Sequence, residues 1–532
     1  MQYEQARYDG RTDIFCPMYA SHDAIRNYSQ DPAKSKPLIQ CEYAHAMGNS
    51  EGGFKEYWDI IRSSPKLQGG FIWDFVDQSL HWKSASGKKF YAYGGDFNQT
   101  DPSDQNFCDN GLVSPDRTLN PHAHEVGYFY QDIWSELKGP HRVEVFNERF
   151  FRNLSDCGLR WELLRDGDLQ AEGTIDDVNV EPQGRRLIEV PYGDIDGSGE
   201  WLLNLNYFLK GEEGLLDAGT VVARQQLPLA LRPWNLEPLR STARPNIRNS
   251  AAHQFTVNGK DFEIVFSMDD GTITRYRVGG MDLLKSGETI RPSFWRAPTD
   301  NDFGADLQNK MSVWRNPRLS YYSLSQYDKN KLQVITIEYK IGFTDASVRM
   351  EYRINERGEM EITETLVPGE DTLPGLFRFG VQIPMPKSFE NLEYYGRGPY
   401  ENYLDRKESA FLGIWKQTVT EQFYPYIRPQ ETGTKSDIRW LRLSNAAGRG
   451  VEIRAEKPFY ASALHYYVNT LDDGADKHNR HSEFLKEDDV TNLLIDGRQM
   501  GLGCINSWSE TPLPEHMLPF GEYSFHFTLR PF

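Results

Sequence analysis

The alternation of apolar and polar positions divides the chain into a short α/β portion and a long β portion. Near the N-terminus an apolar run over residues 38–40 leads to Glu42 and then breaks into the small-residue loop AHAMGNS. A short apolar run bounded by turn residues reads as a buried strand. Beyond it Phe54, Trp58 and Ile61 recur at helical spacing, with Ser50 placed as N-cap and Pro65 past the end. A second apolar run, residues 70–76, predicts a strand that carries Trp73 and Asp74, with Asp77 just beyond. Strand, helix, strand with polar residues at the strand C-termini is how a (β/α)8 barrel presents a site. Residues 14–18 predict one more strand, and residues 2–4 the remnant of another. A closed barrel of this type needs eight strands, so residues 1–130 hold at most half of one, and the chain is expected to begin in mid-barrel.

From about residue 134 the pattern changes to short alternating segments separated by turn signals, which predicts an all-β unit over 134–230. Its candidate strands are 142–151, 159–164, 186–191, 201–208 and 220–227, with Asp166-Gly167 as a hairpin turn. That length suits an immunoglobulin-like β-sandwich. The proline-spotted stretch 231–249 reads as a linker. From 250 to 532 the alternation returns. Val348, Met350, Tyr352 and Ile354 interleave with Arg349, Glu351 and Arg353, and Tyr523, Phe525, Phe527 and Leu529 repeat the pattern. This span predicts a large C-terminal β-sandwich, so the fold class is multidomain, α/β plus all-β.

Composition narrows the function classes. A net charge of −18 without a basic block disfavours a nucleic-acid partner, whose affinity needs a basic footprint. No apolar run approaches the ~20 residues of a membrane helix. The 5 scattered cysteines make neither a disulfide framework nor a CxxC metal pattern, so reduced thiols and a cytoplasmic setting are expected. MQYEQARYDG contains no apolar signal-peptide core. Aromatic residues suit stacking on sugar rings and equally suit sandwich cores.

Glu42 is the first candidate for chemistry, because a carboxylate directly after a buried strand is rare unless it is paired. Its surroundings carry a resemblance. CPMYA, CEYAHAMGNS, LQGGFIWDFVDQSL, YGGDF, NFCDNGLV, RAPTDND, GRGPYENYLDR and SWSETPLPEH, in that order, resemble the large β-galactosidases of glycoside hydrolase family 2. The resemblance runs the length of the chain. It implies that QYE, CPMY, CEYAH and GGFIWD correspond to barrel strands five to eight, and that 250–532 is the family's small-chain-like sandwich. It also implies retaining hydrolysis of terminal β-D-galactosides such as lactose, with Glu42 as the nucleophile that forms a glycosyl-enzyme ester. Either Tyr43 or Tyr19 is placed to give Glu42 a phenolic hydrogen bond and keep it ionised.

The same resemblance makes Tyr19, Tyr43, Ala44, His45, Trp73 and Asn110 substrate contacts, and has Trp508 fold back onto the leaving group. Trp508 as a core residue of the sandwich is the competing reading. Phe107, through its carbonyl, and Asn110 become two ligands of a partial Na+ site, as suits a hard cation. The main Mg2+ ligands and the acid/base carboxylate are expected outside this chain. Ser103 stands where the family pattern has an Asn that helps bind a second Mg2+. Two Asn-Glu pairs occur, Asn147-Glu148 and Asn355-Glu356, and both read as structural. So do His122 with His124, and His478 with His481. The expected partners are a galactoside, the N-terminal half of the enzyme or a complementary subunit, and further copies in a homo-oligomer. The alternative is a non-catalytic carbohydrate-binding β-sandwich protein with a vestigial half-barrel. The family's β-glucuronidase and β-mannosidase branches fit less well, because the C-terminal sandwich and SWSETP go with the galactosidases.

Overall fold

Strand β1, Leu38–Tyr43, pairs in parallel with β2, Leu67–Ile72, through Leu38↔Leu67, Gln40↔Gly70 and Tyr43↔Ile72 in the computed structural model. The structure describes residues 1–98, 100–231, 236–251 and 253–532. On the other edge of β1, parallel bridges Phe15↔Leu38 and Met18↔Glu42 add a third, ragged line of chain. Parallel neighbours need crossover connections, and helices supply them here. Helix α1, His22–Gln30, leads into β1, and α2, Phe54–Arg62, joins β1 to β2. Helix α3, Pro121–Tyr130, follows. Phe54, Tyr57, Ile60 and Ile61 put one face of α2 into a core shared with Leu38, Tyr43, Leu67, Val126 and Phe129.

Several boundaries differ from the sequence reading. Ser50 does not cap α2: the cap is Gly53 at φ +82°, and the left-handed turn there starts the helix three residues later. The second strand ends at Ile72 instead of Val76, because residues 74–76 bond instead to the segment 110–113, Asp74 N to Asn110 O at 2.6 Å and Val113 N to Phe75 O at 3.0 Å. Residues 14–18 make only the two bridges, since Pro17 in their middle has no N–H to give a ladder. Residues 2–4 form no strand; Ala6 N bonds back to Tyr3 O and turns the chain.

Seven strands follow in two sheets. Ile133–Gly139, Arg142–Asn147 and Arg185–Glu189 make one, and Cys157–Arg165, Asp168–Ile175, Trp201–Leu209 and Val221–Ala230 the other. The sequence reading missed Ile133–Gly139 and Asp168–Ile175. Its hairpin turn is present, with Asp166 at φ +50° and Gly167 at +90°. Part of the predicted linker, residues 232–235, lies outside the described residues. Its far end is not a linker, because Asn246–Ala251 is a strand paired with Gln254–Asn258. A five-stranded and a twelve-stranded sheet then share one large core. Val348, Met350, Tyr352 and Ile354 point into it, as their alternation requires.

The β portion docks onto the loop after β1. Asn49 donates to Tyr403 Oη at 2.9 Å and to Glu431 O at 2.8 Å. Gly48, at φ +58°, lies so close to Asp300 and Gln430 that any Cβ would clash with both side chains. Cys504 and Ile505, near the far end of the chain, are buried in the core of the barrel portion.

Candidate active site

Alternation along β1 sends Glu42 and Tyr43 to opposite faces. Glu42 is half-buried, and its carboxylate lies near the Tyr19 phenol. Burial, and then that carboxylate, push the Tyr19 pKa well above its usual value, so the phenol stays a donor. Tyr19 N also bonds to Glu42 O at 2.8 Å. Tyr19 and Ala44 both hold left-handed backbone, φ +46° and +49°, on either side of Glu42. Non-glycine residues in that region carry strain and cluster at functional sites.

Tyr43 turns away. It is fully buried among the helices, and its hydroxyl meets Tyr130 Oη at 2.9 Å. Of the two phenols open in the sequence reading, Tyr19 is the one that reaches Glu42. As placed here, Tyr43 has no route to a ligand beside Glu42, and Ala44, 0 % exposed, sits in the same core.

His45 is buried beside Tyr19, with ring centroids 6.0 Å apart. Its Nδ1 is 2.7 Å from Ser507 Oγ and its Nε2 is 3.4 Å from Asn110 Nδ2. Burial first, with Lys477 reinforcing and Asp300 opposing, lowers its pKa to about 4, so the ring is neutral at pH 7. Asn110 Nδ2 also donates to Phe107 O at 2.9 Å, while its Oδ1 is buried without a hydrogen-bond partner. Trp508 stands edge-on to Tyr19 at 4.7 Å between ring centroids and 5.3 Å from His45. It is 44 % exposed, and it is therefore no core residue of the sandwich. Trp73, 40 % exposed, flanks a cavity of about 550 Å³ lined also by Phe97, Asn98, Asp101, Phe107 and Asn110. Glu42 is not among its lining residues.

The remaining candidates are structural in their contacts. His122 Nε2 meets Gly111 O at 2.9 Å, and His124 stacks on Tyr400 with ring centroids 4.0 Å apart. His481 Nε2 is 3.0 Å from Asp96 Oδ1. Asn147 donates to two carbonyls, Glu148 pairs with Arg62, and Asn355 closes the turn at Gly358. Ser103 Oγ accepts from Gln105 N at 2.9 Å. Among the described residues no group of three or more His, Cys, Asp or Glu side chains is arranged to hold a metal ion. No helix of the described residues is long and apolar enough to cross a membrane. Two residues of the site, Ser507 and Asn301, were not singled out in the sequence. Both lie inside the quoted segments SWSETP and RAPTDND, whose recurrence beside a barrel motif was the available signal.

The assembly of these segments agrees with three family models. Residues 2–135 match the TIM barrel domain of glycosyl hydrolases family 2, residues 143–230 match β-galactosidase domain 4, and residues 258–529 match the β-galactosidase small chain. The last match covers more than half of the chain. The chain belongs to the β-galactosidases of glycoside hydrolase family 2. Among curated relatives, the β-galactosidase of Priestia megaterium is 35% identical over 531 residues, which is 98% of this chain and 50% of that protein. The Vibrio cholerae β-galactosidase is 32% identical over 98% of this chain and 51% of its own length. The Pseudoalteromonas haloplanktis enzyme is 29% identical over 97% and 52%. The chain thus spans about half the length of the curated relatives it matches. Among solved structures, a putative aldose 1-epimerase from Escherichia coli K12 aligns over 52% of this chain and 98% of its own, at 12% identity and a TM-score of 0.30. That likeness is too weak to inform the fold.

Proposed function

We propose that this chain carries the nucleophile side of a retaining β-galactosidase site. Glu42 attacks the anomeric carbon of a terminal β-D-galactoside such as lactose, forming a glycosyl ester as the aglycone oxygen leaves with a proton from a second carboxyl group. Water, deprotonated by that same group, then cleaves the ester. The observation that carries the reading is the Glu42 carboxylate at a barrel strand beside the Tyr19 phenol, whose ring is in turn flanked by His45 and Trp508. Neutral His45 contacts a sugar hydroxyl, Trp508 stacks on the leaving group, and Trp73 floors the ring. The two candidate Na+ ligands fit a hard cation, because the buried Asn110 Oδ1 has no other partner and the Phe107 carbonyl is beside the same amide. A bound cation would supply positive charge for sugar hydroxyls to coordinate.

The acid/base carboxylate and the main Mg2+ ligands are proposed to come from the other barrel strands, on a longer polypeptide or a complementary subunit, in a cytoplasmic homo-oligomer. What supports this is a barrel sheet of only the two strands β1 and β2 among the described residues, and the relatives' double length.

A 2-deoxy-2-fluoro galactoside with an activated leaving group tests the nucleophile in enzyme reconstituted with those strands. The fluorine slows both steps and the leaving group rescues only the first, so the ester accumulates. Mass spectrometry should place the label within PLIQCEYAHAMGNS. Glu42→Gln should abolish it and lower turnover by roughly three orders of magnitude or more, with galactoside binding largely kept. A label on any other carboxylate overturns the assignment. In the same enzyme Asn110→Ala should weaken the Na+ dependence of turnover, read as the Na+ concentration for half-maximal rate.

A further inference from the structure

We infer that Asn301 and Ser507 fix the tautomer of His45, leaving its Nε2 as the acceptor on the side of the site. The chain of reasoning begins at Asn301, which is 3 % exposed. Its Nδ2 donates to two carbonyls, Leu502 O at 3.1 Å and Gly503 O at 3.0 Å. Those contacts orient the amide, because a carbonyl only accepts and the Asn oxygen only accepts. Asn301 Oδ1 therefore faces Ser507 Oγ, 2.7 Å away, and the serine hydroxyl must spend its one proton there. Ser507 Oγ is also 2.7 Å from His45 Nδ1. With its proton already committed, the serine can only accept from His45. The ring proton must then sit on Nδ1, and Nε2 carries the lone pair.

The outer contact agrees. Asn110 Nδ2, oriented by Phe107 O at 2.9 Å, approaches His45 Nε2 at 3.4 Å as a donor. Second partners of this kind set which ring nitrogen is protonated. The polar atoms of the relay are shielded from water, since His45 is 1 % and Ser507 5 % exposed. His45 N also bonds to Cys504 O at 3.0 Å, which clamps the ring's backbone to the same segment. Asn301 and Ser507 act as positioning residues. Resting on the proposed galactosidase reading, the consequence is that His45 Nε2 accepts a hydrogen bond from a sugar hydroxyl in exchange for the long contact with Asn110, and cannot donate one.

The tautomer is measurable without any substrate, so its test stands apart from the fate of the function proposal. The probe is ¹⁵N-histidine NMR of the 532-residue chain at alkaline pH, with the His45 signals identified by their loss in His45→Gln. The parent chain should show the His45 proton on Nδ1. Asn301→Leu removes the acceptor and frees Ser507 to donate, so the proton should move to Nε2 although the substituted residue does not touch His45. Asn301→Asp loses the same two amide donations but keeps an acceptor for Ser507, and the proton should stay on Nδ1. Ser507→Ala should remove the preference and give a mixture. A parent ring protonated at Nε2, or one tautomer in all four chains, overturns the inference. Should Asn301→Leu not fold, a parent-like single tautomer in Ser507→Ala overturns it equally.

Discussion

His122 shows how one buried ring makes stability depend on pH. It is 0 % exposed in α3, and its neutral Nε2–H donates to Gly111 O. Burial first, and then the Arg406 guanidinium, lower its pKa to about 3. An unfolded histidine titrates near 6.5. Between those values the unfolded chain binds a proton that the folded chain refuses, so stability rises with pH across the window. The contribution is whole above pH 6.5 and is lost as pH falls toward 3. His122→Gln keeps a donor for Gly111 O and removes the titration. Relative to that variant, the parent should lose about 3 kcal/mol of unfolding free energy between pH 7 and pH 4. Urea unfolding at several pH values measures the difference, and parallel pH curves for the two chains would refute it.

At the scale of elements, the junction between residues 74–76 and 110–113 depends on Gly111. A Cβ there would lie 2.0 Å from Asp77 N and 2.3 Å from the Val76 carbonyl carbon, both backbone atoms that cannot swing aside. Gly111 also gives its N–H to Asp77 and its carbonyl to Asn120 and His122. Gly111→Ala should therefore cost about 1–3 kcal/mol or more, read as a shift in the urea midpoint. This junction also marks the limit of what the chain's pattern discloses. Helix α2 was legible because Phe54, Trp58 and Ile61 repeat at helical spacing, a property of nine consecutive residues. The end of β2 was not, because hydrogen bonds to residues 110–113 decide it, and nothing in FIWDFV points to that pairing. Strand Asp168–Ile175 does alternate, Leu169, Ala171 and Ile175 against Asp168, Gln170, Glu172 and Thr174, but it escaped notice because Ala171 and Gly173 are too small to mark an apolar face. In the site, Glu42, His45 and Trp508 were legible from the motifs around them. The choice between Tyr19 and Tyr43 was not, because strand alternation around Glu42 settles it only once β1 is known to run through Tyr43. Ser507 and Asn301 gain their role from a hydrogen bond spanning 206 residues.

Across the whole molecule, the barrel portion leaves an apolar face uncovered. Phe71 is 61 % exposed, Phe75 66 %, and Leu80, Trp82 and Phe97 about half. Large exposed apolar side chains of this kind favour association. The isolated chain should self-associate in sedimentation velocity, and Phe71→Glu with Phe75→Glu should shift it toward monomer. A parent chain that stays monomeric at high concentration would count against this. The bond between His45 and Ser507, 462 residues apart, also sets a schedule. A ribosome adds roughly 5–20 residues per second, so about half a minute to a minute and a half separates the emergence of the two partners. Through that interval Glu42 and Tyr19 exist without the ring that will stand over them, and His45 has no serine to define it. The site therefore forms late relative to its own strand, and a nascent chain that stalls between residues 45 and 507 holds Glu42 without the partner that defines His45.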